Sequence, residues 1–109
     1  MVAFRLAGVG FLALNGGPHF KLNEAFSLSI DCRSQAEVDE LWEKLSAGGT
    51  PGRCGWLKDR YGLSWQVVPA VLPELLGSPD RAKAGRVMQA MMGMTKLDIA
   101  ALEAAADGR

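Results

Sequence analysis

Between Phe26 and Cys32 apolar and polar residues alternate strictly: Phe26, Leu28, Ile30 and Cys32 fall on one side of an extended chain, and Ser27, Ser29 and Asp31 on the other. A period of two marks a strand with one greasy and one small polar face. The period then changes. Ser34 supplies a helix N-cap with Glu37 three residues on, which makes a capping box. Val38, Leu41, Trp42 and Leu45 recur at helical spacing, and Gly48-Gly49 ends the run. Extended character returns from Cys54 to Lys58 and from Leu63 to Val68, joined by a turn through Asp59-Arg60-Tyr61-Gly62. In the last strand Leu63, Trp65 and Val67 share one face, and Ser64, Gln66 and Val68 the other. These segments predict a βαββ unit.

Before that unit, Val2 to Leu14 alternates around a Gly8-Val9-Gly10 break, with Val2, Phe4 and Leu6 on one face followed by Leu12 and Leu14. A β-hairpin is expected there. Asn15-Gly16-Gly17-Pro18 is a loop signal, because Asn and Gly tolerate positive φ and Pro cannot continue a ladder. After the unit, Pro69 to Pro73 closes the sheet region, and Ser78-Pro79 reads as an N-cap with proline at the first helical position. A helix is predicted from Pro79 to about Met92, and Thr95 is placed to cap a final helix through Ile99 and Leu102. The Met88, Met91 and Met92 stripe is expected to be packing, since thioethers fill irregular gaps.

A chain of 109 residues with 49% hydrophobic and 22% charged residues is the size and composition of one folded domain. Lys plus Arg and Asp plus Glu balance at 12 each, so there is no electrostatic footprint for nucleic acid or an anionic membrane surface. The first apolar stretch is broken by Arg5 and glycines and resembles neither a signal-peptide core nor a membrane span, which gives a cytoplasmic expectation. Cys32 and Cys54 have no metal-knuckle or CxxC spacing and are expected to be buried, reduced thiols.

Candidate chemistry is sparse. His19, the single histidine, follows the Gly-Gly-Pro loop and is a weak candidate for a catalytic base. Gly8-Val9-Gly10 lacks the third glycine and the helix of a dinucleotide loop, and no GxxxxGK occurs. The same absence ranks methyl transfer with a Rossmann-like donor site last. Glu37, Asp39, Glu40 and Glu43 lie on the polar side of the capped helix, where Glu40 pairs with Lys44 at i+4. The stretch Cys54-Gly55-Trp56-Leu57-Lys58-Asp59-Arg60-Tyr61-Gly62-Leu63-Ser64-Trp65-Gln66 is a hairpin with a tryptophan anchoring each arm.

That hairpin, the strand and loop Phe11-Leu12-Ala13-Leu14-Asn15-Gly16-Gly17-Pro18, the Glu37-to-Gly49 helix and the Val87-Met88-Gln89-Ala90-Met91 tail together resemble the PhnB-like branch of the glyoxalase, bleomycin-resistance and dioxygenase superfamily. This is the vicinal-oxygen-chelate fold, and part of the branch carries the legacy label 3-demethylubiquinone 3-methyltransferase. The resemblance implies an α+β fold built from βαβββ modules. Residues 1–17 would be the last hairpin of a first module, 24–69 the second module and 70–109 a C-terminal helical extension, so the first module is expected to be N-terminally short.

In such a fold a divalent metal is often held by His, Glu or Gln from inward-facing strand positions. The resemblance aligns Ser27 and Gln66 with those positions and makes Gln66 the candidate metal ligand or substrate-orienting residue. Ser27, Ser29, Ser64, Gln66 and Trp56 are the expected ligand-binding set, and Glu24 and His19 the candidate catalytic groups. A homodimer that completes the cleft, with exchanged elements, and a small-molecule ligand follow as expected partners. A non-catalytic drug-binding module using Trp56, Trp65 and Phe20 is the alternative, and a remnant that retains only assembly a third.

Overall fold

Ala7 and Gly8 both adopt positive φ, 51° and 81°, the geometry of a two-residue type I′ turn. In the computed structural model, which describes residues 1–109, this turn joins β1 (Val2–Leu6) to β2 (Val9–Ala13) as an antiparallel hairpin. The turn falls one residue earlier than the Gly8-Val9-Gly10 break suggests, and that changes the faces. Phe4 pairs with Phe11 and Leu6 with Val9, so the apolar face of β1 continues through Val9 and Phe11, while Leu12 sits opposite Ala3 on the other side. The Phe4 and Phe11 rings stack with centroids 5.4 Å apart.

Residues 14–26 form no strand or helix. The chain then enters the βαβββ module: β3 (Ser27–Cys32), α1 (Gln35–Ser46), β4 (Thr50–Pro51), β5 (Trp56–Lys58) and β6 (Ser64–Pro69). Strand order is β3-β6-β5-β4, with β3 and β6 parallel and the other pairs antiparallel. The two-residue β4 is an addition to the βαββ unit legible in sequence. It is too short to show alternation, and only its pairing with Leu57 and Lys58 defines it.

α1 forms where the capping signal stands. Glu37 N–H donates to Ser34 Oγ at 3.2 Å, and the Glu37 carboxylate accepts from Arg33 N–H at 2.7 Å. The helix lays Val38, Leu41, Trp42 and Leu45 on the sheet face carrying Leu28, Ile30, Leu57, Trp65 and Val67, with Cys32 at its edge. Burying each such side chain is worth about 1.5–3 kcal/mol, so this face fixes the module. Cys32 is buried and its thiol is pushed up, chiefly by desolvation and also by the Glu37 and Asp31 charges. Cys54 is only half-buried, and adopts a left-handed φ of 58°.

Three helices follow: α2 (Val71–Leu76), α3 (Arg81–Met92) and α4 (Ile99–Ala106). They enclose a second core of Leu72, Val87, Leu97, Leu102 and Ala106. α2 is unexpected where Pro69 to Pro73 suggested only a closing segment. Pro73 lies in its first turn, where the missing N–H has no intrahelical partner to lose. The caps also shift. Asp80, not Ser78, caps α3 by accepting from Lys83 N–H, and Asp98, not Thr95, caps α4 by accepting from Ala101 N–H. The Ser78 hydroxyl instead accepts from Asp80 N–H, and carboxylates two and three residues further on win both caps. Met88 and Met92 are largely exposed, so only part of the methionine stripe packs.

The two cores meet where Val68 of β6 packs against the helical core and where residues 94–99 cross to the sheet and α1. Cys54 and Gly55 N–H donate to the Met94 and Thr95 carbonyls at 2.8 Å, while Val67 N–H donates to the Gly55 carbonyl. The Gln35 amide bridges from α1, donating to the Leu97 carbonyl and accepting from Ile99 N–H. Lys96 pairs with Asp39 at 2.8 Å and, with Gln35, holds that carboxyl below its usual range. Gly55 has φ +83°, and a Cβ there would lie 2.9 Å from both Leu97 Cδ1 and the Val67 carbonyl oxygen.

Gly55→Ala is therefore expected to lower unfolding stability by about 2 kcal/mol or more, measured by urea denaturation; an unchanged midpoint would show that the junction tolerates displacement. Asp39, with its lowered pKa, stabilises the fold above the ordinary carboxylate range and loses that contribution as pH falls through the folded value. The Tm gap between wild type and Asp39→Asn should accordingly be present at neutral pH and close on acidification.

Candidate functional site

The β3–β6 register sorts the two faces. Ser27 stands opposite Ser64, Leu28 opposite Trp65, Ser29 opposite Gln66 and Ile30 opposite Val67. Across the next pairing Trp56 stands opposite Gln66 and Lys58 opposite Ser64, and Thr50 then opposes Lys58. Cross-strand partners project to the same side. The face away from α1 therefore carries one row of Thr50, Lys58, Ser64 and Ser27, and beside it a second of Trp56, Gln66 and Ser29.

All five residues expected to bind ligand thus share one surface. Gln66 Nε2 donates to Ser27 Oγ at 3.0 Å, a diagonal bond that ties β6 to β3 and fixes the amide plane. Ser64 Oγ is buried and has no hydrogen-bond partner. Trp56 is half-buried at the start of β5, where its carbonyl accepts from Gly52 N–H at 2.8 Å.

The candidate catalytic groups separate. Glu24 reaches this face from the 14–26 segment and pairs with Lys58 Nζ. Its pKa is lowered, mainly by the hydrogen bond from Lys58 and then by its own backbone N–H and the Lys58 charge. His19 is exposed in a turn of the same segment. A cavity of about 310 Å³ opens beside Glu24, Thr50, Gly52, Trp56, Lys58 and Ser64.

The aromatic trio does not assemble. Trp65 projects to the α1 side, where its indole N–H donates to Asp59 Oδ2 at 2.9 Å, and Phe20 is 95% exposed. Period-two alternation separates Trp65 from its neighbour Gln66, so only Trp56 shares the polar face. Lys58 and Thr50 are members that sequence reasoning missed. Lys58 was legible, since it lies two residues from Trp56 on the same strand; Thr50 was not, because only pairing makes β4 a strand.

Ser27 and Gln66, at the positions aligned with metal ligands, offer a hydroxyl and a neutral amide whose nitrogen already donates to that hydroxyl. No three His, Cys, Asp or Glu side chains gather where they could hold a metal ion. Without an anionic or imidazole donor, these residues of one chain do not fit a divalent metal. What the face as a whole presents is hydrogen-bonding groups, the Lys58–Glu24 ion pair and an aromatic surface.

No helix is long and apolar enough to cross a membrane. No curated protein is similar to the chain. A PhnB protein from Bacillus cereus, described as a 3-demethylubiquinone-9 3-methyltransferase, superposes with a TM-score of 0.58 at 30% identity. The match covers 62% of each chain, so this chain spans less than two thirds of that protein. The family model for 3-demethylubiquinone-9 3-methyltransferase matches residues 1–68, which hold the hairpin and nearly all of the βαβββ module. The chain belongs to that PhnB-type family of the glyoxalase superfamily.

Proposed function

We propose that this protein binds a small molecule on the polar face of its four-stranded sheet, and that it does so as a homodimer in which a second copy covers the hairpin. The observation that carries the binding reading is the convergence of Ser27, Ser29, Ser64, Gln66 and Trp56 on one face, with Ser64 Oγ buried and unpartnered. Polar side chains gathered beside an aromatic surface are the equipment of recognition.

Binding is favoured over catalysis by the state of Glu24. Lys58 holds its pKa below the ordinary value, which makes it a poorer proton acceptor at neutral pH. A drug-binding or sequestering role fits a face of this kind, with Trp56 as the aromatic contact and Trp65 confined to the core.

The dimer is supported by surface. The chain exposes 7480 Å², against about 5,900 Å² for a compact monomer of its mass. Its radius of gyration is 16.0 Å, against about 13 Å for a domain of this length. The surplus of about 1,600 Å² per chain exceeds the roughly 800 Å² per partner of a standard interface. Much of it is apolar hairpin: Val2, Phe4, Leu6 and Val9 are between 41% and 63% exposed. Leu6, Val9 and Phe11 also border an apolar cleft of about 560 Å³ against Leu28, Ile30 and Leu41, beside the unpaired edge of β3. A second copy supplies a matching hairpin and edge, by symmetric packing or exchange.

Sedimentation equilibrium should return twice the 11.7 kDa chain mass, and Phe11→Asp should return the chain mass with unchanged helical circular dichroism. A wild-type monomer at high micromolar concentration would remove the dimer. For the binding face, a ¹⁵N NMR titration with small polar fragments should move the Ser27, Ser29, Ser64 and Gln66 signals together in wild type, and Gln66→Leu should abolish the response while remaining folded. Fragments that move only hairpin signals would overturn this assignment.

A further inference from the structure

Ser64 is 1% exposed, and its hydroxyl has no partner although it borders the 310 Å³ cavity. An enclosed hydroxyl without a hydrogen bond is costly and rare, and calls for a group to complete it. Its neighbours across the sheet are Ser27 on one side and Lys58 on the other. Lys58, the cation of this face, already holds a carboxylate. Glu24 pairs with its ammonium from a segment without regular structure, and the two side chains remain 44% and 61% exposed.

An exposed pair of this kind holds weakly, and one half of it sits on irregular chain. We infer that the cavity is a carboxylate-binding site in which Glu24 keeps the place of the ligand. A small organic acid displaces the Glu24 carboxylate, accepts hydrogen bonds from Lys58 Nζ and Ser64 Oγ through its two oxygens, and lays an apolar or aromatic body along Trp56. The exchange conserves charge, since one carboxylate leaves the ammonium as another arrives. A neutral ligand has no such exchange available; it would leave the ion pair in place in the cavity wall.

Carboxylate geometry suits the pair. Directly opposed residues on antiparallel strands hold their Cβ atoms about 5 Å apart, a span that the two oxygens of one carboxylate bridge once a lysine side chain folds toward it. Lysine and serine then both act as donors, and the acceptor-only carboxylate satisfies each. Glu24, tethered to the same chain, acts as a competitor at high effective concentration. The charged competitor persists at neutral pH, consistent with the lowered Glu24 pKa.

This inference rests on the small-molecule reading above and names the class of ligand. Benzoate and its neutral counterpart benzamide, titrated by ¹⁵N NMR into wild type, Glu24→Gln, Lys58→Met and Ser64→Ala, test it. Benzoate should move the Thr50, Lys58 and Ser64 amides and the Trp56 indole signal. Glu24→Gln should tighten benzoate by about threefold or more, because the internal competitor is gone. Lys58→Met should weaken it by about tenfold or more, and Ser64→Ala by several-fold. Benzamide binding as tightly as benzoate, or affinity unchanged in both Glu24→Gln and Lys58→Met, overturns the carboxylate assignment and leaves the small-molecule reading standing. If neither probe moves any signal of this face, in wild type or in Glu24→Gln, both fall.

Discussion

The parallel pairing of β3 with β6 is the constraint on which the rest depends. It sets Leu28 beside Trp65 and Ile30 beside Val67 on one side of the sheet, and Ser27 beside Ser64 and Ser29 beside Gln66 on the other. Side chains alternate with period two, so a slip of one residue would put serines against α1 and leucines in the polar face. Burial of the apolar set under Val38, Leu41, Trp42 and Leu45 makes that slip prohibitive. The hydrophobic core thereby assembles the polar face, although it contributes no residue to it.

The helical region stands in a similar relation to the sheet. Its own core of Leu72, Val87, Leu97, Leu102 and Ala106 is separate, yet Leu97 closes over Gly55, and the Gln35 amide from α1 meets the Leu97 carbonyl and Ile99 N–H. Gly55 is the residue before β5, so the helices brace the strand that carries Trp56 and Lys58. Residues 71–106, which hold these helices, lie outside the part of the chain matched by the family model, while the strand they brace lies within it. The helices thus act on the candidate site through Gly55 rather than by supplying residues to it.

The hairpin is the counterweight. β1 and β2 satisfy each other's hydrogen bonds and stack Phe4 on Phe11, but they bury little, and an isolated two-stranded ribbon is marginal in water. Its apolar face and the unpaired edge of β3 are adjacent surfaces with a common need for cover. A second copy, as proposed, would meet both at once; it would tie the stability of the amino-terminal region to association and leave the module under α1 to fold on its own core.

Local pattern was enough for every element with a clean period. The Ser34 cap with its helical stripe stands as sequence alone indicates, and both alternating strands form but with shifted ends, Ser27–Cys32 without the exposed Phe26 and Ser64–Pro69 without Leu63; period and capping are properties of neighbouring residues. Period also assigned Ser27, Ser29, Ser64 and Gln66 to polar faces. Tertiary structure decided the rest: that those faces are the same face, that Thr50 and Pro51 are a strand, that Lys58 meets Glu24, and that Trp65 and Phe20 stand apart from Trp56. The caps were a local choice read wrongly, since Asp80 and Asp98, two and three residues beyond Ser78 and Thr95, accept from N–H groups three residues ahead of them. The physical reason is range. Hydrophobic period and capping chemistry act over three or four residues, whereas pairing Ser27 with Ser64, or bringing Leu97 to Gly55, closes loops of some forty residues whose ends only the packed core brings together.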